Sequence, residues 1–136
     1  MPISPVALAL TAGATFVSRG FAGDGKALAD LIVKAVNHKG FSLVDVLQPC
    51  VTFNKDFDYS WYRSHIYDVN AAGLVPDNKA NAFAKALEWG DKVPVGIFYE
   101  ENRTTSEDGH TAIAEIPLVN QPLDKLDVDE LLNEYI

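Results

Sequence analysis

Two short apolar runs limit what this chain can become. "ATFVSRGF" (14–21) and "FSLVDVL" (41–47) are rich in β-branched and aromatic residues, and each reads as a strand. Between them Ala27, Leu28, Leu31, Ile32, Ala35 and Val36 recur at helical spacing. Asp24 stands where an N-cap belongs, His38 and Lys39 fall in the expected last turn, and Gly40 ends the helix. Strand, helix, strand is a βαβ unit, so the two strands should pair in parallel. The near-continuous apolar character of 41–47 predicts a strand covered on both faces.

Ser4-Pro5 signals a helix that runs toward Gly13. The chain therefore reads as helix, strand, helix, strand, and its first helix should follow an earlier strand. Two parallel strands do not make a stable sheet, because both faces need helices and both edges need neighbours, and the sequence after Asn54 does not supply them. That region offers a Tyr/Trp-rich segment from Tyr59 to Tyr67, a helix from Asn78 to Trp89 and a strand, "VPVGIFYEE". It ends in an amphipathic helix with Val128, Leu131, Leu132 and Tyr135 on one face. The fold class is α/β: the second half of a doubly wound parallel sheet, residues 1–54, with a C-terminal α+β extension, residues 55–136.

Charge narrows the partners. Residues 1–99 carry nine acids and nine bases, whereas 100–136 carry ten acids and two bases, Arg103 and Lys125. The whole net charge of −8 lies in that last part. An acidic tail argues against nucleic acid and against an anionic membrane surface. It is a solvated tail or an arm that docks on a basic patch of another subunit. No apolar run approaches the ~20 residues of a spanning helix, and the N-terminus lacks the basic start of a signal peptide. A cytoplasmic location is the expectation.

Few residues invite chemistry. "GDG" at 23–25 suggests a diphosphate–Mg²⁺ motif, but the nearest downstream Asn is Asn37, at the end of the same helix. A turn with a helix cap is the simpler reading. His38, His65 and His110 are scattered, without ligand spacing, and no catalytic residue is assigned. Cys50 is the only cysteine. It is either a small buried hydrophobe or a ligand just past the carboxyl end of a parallel strand, where α/β sheets hold ligands. A [4Fe–4S] cluster needs four thiolates, so as a ligand it would need three from outside this chain.

The stretches "AGATFVSRGFAGD" and "HKGFSLVDVLQPCVTFN" closely resemble the second half of the β subunit of 2-oxoacid:ferredoxin oxidoreductases. The similarity continues through "YSWYRSHIYDV", "AFAKALEWGDKVPVGIFYEE" and "PLVNQPL". The resemblance implies the C-terminal part of a thiamine diphosphate-binding domain. It implies an enzyme that decarboxylates a 2-oxoacid such as pyruvate, passes electrons to ferredoxin and delivers the acyl group to coenzyme A. By position it makes Cys50 the fourth ligand of a [4Fe–4S] cluster. The other three ligands and the Mg²⁺–thiamine diphosphate motif belong to the N-terminal half, which this chain lacks. The partners implied are that half and the α subunit, and no cofactor is expected on this chain alone. The alternative is an independent, non-catalytic binding or assembly module derived from the same subunit.

Overall fold

The computed structural model describes residues 3–106, 108–110, 116–121 and 132–133. They divide into two units, residues 1–103 and residues 104–136.

The first unit is a four-stranded mixed sheet with four helices. Helix α1 (Pro5–Thr11) opens as its sequence requires: the Ser4 side chain accepts from Ala7 N, and Pro5 takes the first helical position. Its apolar residues Val6, Ala7, Ala9 and Leu10 are buried against β1 (Phe16–Phe21) and its surroundings. Helix α2 (Gly25–Asn37) returns the chain to β2 (Ser42–Leu47), which pairs in parallel with β1 over the full length of both. The βαβ unit expected from the two apolar runs is present. Gly20 lets α2 approach β1 closely, because a Cβ there would lie 2.6 Å from Leu28 Cδ1.

Two expectations change. Helix α2 ends at Asn37, so His38 is its C-cap in extended conformation and Lys39 lies beyond it. Strand β2 is not covered on both faces. It is the sheet edge, and Val46 is exposed.

The larger difference lies after Asn54. Helix α3 (Tyr59–His65) leads directly into a short strand, β3 (Ile66–Asp68). Helix α4 (Lys79–Ala86) precedes β4 (Val93–Glu100). The sheet order is β2-β1-β4-β3. Strand β4 runs antiparallel to β1, and β3 runs parallel to β4. The sequence after Asn54 thus supplies the neighbours that the parallel pair needs. Strand β4 is buried along most of its length, with Val93 and Phe98 fully enclosed.

The β1–β4 ladder shifts register between Val17 and Ser18. Beside the shift, Gly96 has φ +116°, a conformation that glycine adopts without strain. A Cβ on it would lie 2.7 Å from Asn70 Oδ1. Asn70 needs that room, because it clamps the strand: its Oδ1 accepts from Ile97 N at 2.9 Å and its Nδ2 donates to Ile97 O at 2.8 Å.

In the second unit, Thr105 N and Oγ1 both donate to Asp108 Oδ2, and a 3₁₀ turn spans Leu118–Asn120. Of the C-terminal amphipathic helix, Leu132 and Asn133 are helical. Val128, Leu131 and Tyr135 lie outside the described residues.

Candidate functional site

The parallel pair directs the carboxyl ends of β1 and β2 to the same end of the sheet. Phe21 closes β1 there and Leu47 closes β2, and both are buried with Tyr62 and Val93 in a second apolar core. Helix α3 caps this core with aromatic rings. Phe21 lies 5.5 Å from Tyr62 and 5.8 Å from Tyr59, while Phe57 and Trp61 meet edge to face at 4.6 Å. Asp58 starts the helix by accepting from Trp61 N at 2.8 Å.

Cys50 emerges from this end. Pro49 is buried, which anchors the exit of β2, and Cys50 is exposed three residues past the strand. Its carbonyl accepts from Asn54 N at 2.9 Å, closing a turn, and Asn54 Oδ1 accepts from the amides of Asp56 and Phe57. The thiol is therefore held on a hydrogen-bonded loop beside a rigid aromatic core, and it does not pack as a small hydrophobe.

The other candidates have structural roles. Asp24 accepts from Ala27 N at 3.1 Å and caps α2, and a Cβ on Gly23 would collide with the Phe21 ring. The "GDG" stretch is thus a tight turn with a cap. His38 Nε2 lies 2.8 Å from Thr15 Oγ1 and its ring sits 5.5 Å from Phe16. His65 stacks on Trp61 at 4.1 Å, with Nδ1 2.7 Å from Trp61 O. His110 is exposed in the second unit. Among the described residues no three His, Cys, Asp or Glu side chains converge as a metal site.

The sequence reading missed Arg19 and Asp45. Arg19 lies in the middle of β1 with a side chain only 3% exposed, and its Nε donates to Asp45 Oδ2 at 2.8 Å. Its guanidinium lies 5.5 Å from the Phe98 ring and 6.0 Å from that of Trp89. Burial pushes the Tyr62 hydroxyl up from its ordinary value; nearby Arg19 pulls it down and Asp45 pushes it up. The pair was legible in principle: "FVSRGF" and "SLVDVL" each carry one charge at the fourth strand position, and parallel register makes them partners.

Known proteins are similar to this chain. A 2-oxoacid:ferredoxin oxidoreductase β subunit from a Sulfolobus species is 42% identical across 76% of this chain and 37% of its own length. The corresponding protein from Saccharolobus solfataricus is 41% identical across 72% of this chain and 35% of its own. This chain is a relative of the 2-oxoacid:ferredoxin oxidoreductase β subunits. Residues 50–115 match the family described as the C-terminal part of the pyruvate ferredoxin oxidoreductase β subunit, and that match begins at Cys50. A solved 2-oxoglutarate:ferredoxin oxidoreductase from Magnetococcus marinus, with 2-oxoglutarate, coenzyme A and succinyl-CoA bound, superposes with a TM-score of 0.81 at 28% identity. The superposition covers 99% of this chain and 45% of that one. The chain thus spans little more than a third of the β subunits that it matches in sequence.

One thiol fits one ligand position of an iron–sulfur cluster and no more. Asp24, the acid of the "GDG" stretch, is engaged through Oδ1 at its helix cap. No described helix is long and apolar enough to cross a membrane.

Proposed function

We propose that this chain serves as the C-terminal part of the β subunit of a 2-oxoacid:ferredoxin oxidoreductase, with no catalysis of its own. One observation carries the reading: Cys50 is exposed on an ordered loop past the carboxyl end of a parallel strand, where the family match begins. Cys50 supplies one thiolate to a [4Fe–4S] cluster, and three come from the N-terminal half of the subunit. Bound there, the cluster carries electrons from the decarboxylated 2-oxoacid to ferredoxin. Thiamine diphosphate and Mg²⁺ belong to the absent half. Residues 1–54 complete the cofactor domain, and 55–136 form the extension, which packs on the α subunit. The assembly acts on coenzyme A and a 2-oxoacid, in the cytoplasm.

The surface of the first unit supports an absent neighbour. Helix α2 is amphipathic, yet none of its residues is buried. Ile32, Val33, Val36, Phe41 and Val46 are exposed, Val36 by 78% and Phe41 by 63%. Apolar residues in such a group mark a contact surface, and they flank the free edge of β2.

The deciding experiment is Cys50→Ser in the complete enzyme. Iron content and ferredoxin reduction should fall together, while association with the α subunit persists. A variant with unchanged iron would rule out the ligand role.

A second reading, an independent non-catalytic binding or assembly module, has its own support. The first unit closes a four-stranded sheet over two apolar cores within about a hundred residues. Under that reading the isolated chain unfolds cooperatively and binds no iron in the presence of the remaining subunit sequence.

A further inference from the structure

Side chains along β1 alternate between the two faces of the sheet. Val17 joins residues of α1 and α4 in the first apolar core, while Gly20 lies against Leu28 of α2. Helices α1 and α4 therefore share one face, and α2 takes the other. There α2 packs on β1 and β2. Beside it, over β3 and β4, lies a groove of about 310 Å³. Ile66, Val95 and Ile97 form its floor, and Ala27 and Leu31 of α2 form one wall. Ile66 and Val95 are only half-buried, and α2 has no buried residue. Layered α/β domains cover both sheet faces with helices, so an apolar floor beside a packed helix is where the next helix belongs.

Charge selects the occupant. Asp24, Asp30 and Asp68 border the groove as exposed carboxylates. Asp24 and Asp68 each accept backbone amides through Oδ1, which leaves Oδ2 of each with acceptor capacity. Two bases also border it: Lys34, which is exposed, and Arg19, which is buried and paired with Asp45. The groove thus has an apolar floor under a negative rim. The rest of this chain does not match it, since residues 100–136 carry ten acids and two bases. A second copy, with the same net charge of −8, does not match it either. Like charges placed opposite each other oppose association.

We propose that this groove receives an amphipathic helix of a different subunit, its apolar residues on Ile66 and Val95 and a Lys or Arg among the carboxylates of Asp24, Asp30 and Asp68. The inference rests on the reading of this chain as one part of an assembly, and not on the role given to Cys50.

The test uses the enzyme assembled from this chain, the N-terminal part of the β subunit and the α subunit. With Asp30 replaced by the photo-reactive p-benzoylphenylalanine, irradiation and peptide mapping should recover a cross-link to another subunit, in a segment with more Lys and Arg than Asp and Glu. Asp30→Lys should weaken assembly about five-fold at low ionic strength, and the gap to wild type should close at about 1 M salt, where charges are screened. Asp77→Lys makes the same charge change at an exposed site outside the groove and should stay within about two-fold of wild type. An assembled enzyme that gives no cross-link at Asp30, a cross-link only within this chain, to a second copy or to an acidic segment, or equal effects of the two lysine variants would each overturn the proposal and leave the assembly standing. A chain that does not assemble with the other subunits at all would overturn the assembly reading as well.

Discussion

Arg19 and Asp45 face each other across the β1–β2 ladder, joined at 2.8 Å and placed opposite by parallel register. The pair fixes that register more firmly than its apolar neighbours do, since a slip of one residue would bury an unpaired guanidinium.

Asp45→Ala should therefore cost about 3 kcal/mol, the lower end for breaking a buried pair, because Asp45 keeps some water contact. The double variant Arg19→Met/Asp45→Leu should recover most of that loss. Urea unfolding of wild type and both variants measures this. A double variant as unstable as the single one would show that the ion pair itself, not its burial unpaired, carries the stability.

Gly96 and Asn70 depend on each other. Gly96→Ala places a methyl group against Asn70 Oδ1 at a positive φ, and should cost about 2 kcal/mol. Asn70→Ala removes the clamp on Ile97 directly and should cost a similar amount. Their effects should be less than additive, because either change breaks the same two bonds. Fully additive losses in thermal unfolding would mean that the two sites act separately.

Lys85, Glu88 and Tyr67 set a pH window. The Lys85 ammonium, and then the Tyr67 hydroxyl, hold Glu88 below its ordinary value of 4.5. A depressed carboxylate contributes stability above that value and loses it as pH falls through the folded value. Lys85 is raised above 10.5, chiefly by Glu88, so its contribution is present below 10.5 and fades as pH rises further. Glu88→Gln should lower the urea midpoint slightly at pH 7, and the gap to wild type should narrow by pH 3. An equal gap at both values would assign the effect to packing.

The exposed α2 face predicts a separation of folding from assembly. Val36→Lys should leave the unfolding free energy of this chain within about 0.5 kcal/mol of wild type, as exposed substitutions do. It should weaken association with the N-terminal half of the β subunit at least ten-fold. Pull-down of purified halves checks this, and undiminished association would remove α2 from the contact surface.

Local signals were the ones legible in the sequence. Ser4-Pro5 and Asp24 start helices by capping chemistry, which acts over three residues, and both elements lie where those signals put them. The apolar runs located β1, β2 and β4. Periodicity does not say which strands pair, so the antiparallel insertion of β4 beside β1 was not foreseen. The Arg19–Asp45 pair was missed for another reason: its members lie 26 residues apart, and the expected parallel pairing of β1 with β2 brings them together only once its register is known. Cys50 was placed correctly past a strand end, but its exposure depends on how β2 lies at the sheet edge, which the sequence does not state.

The antiparallel β1–β4 pairing has a consequence for biosynthesis. On the ribosome, β1 waits for a partner that lies some 80 residues downstream, and until β4 emerges one side of β1 offers open main-chain groups to any passing strand. Closure of a ladder between such distant segments is slow for entropic reasons. The chain should be most vulnerable to misassociation after β2 is made and before Glu100 has cleared the exit tunnel, an interval in which a slowed ribosome or an early stop would be costly.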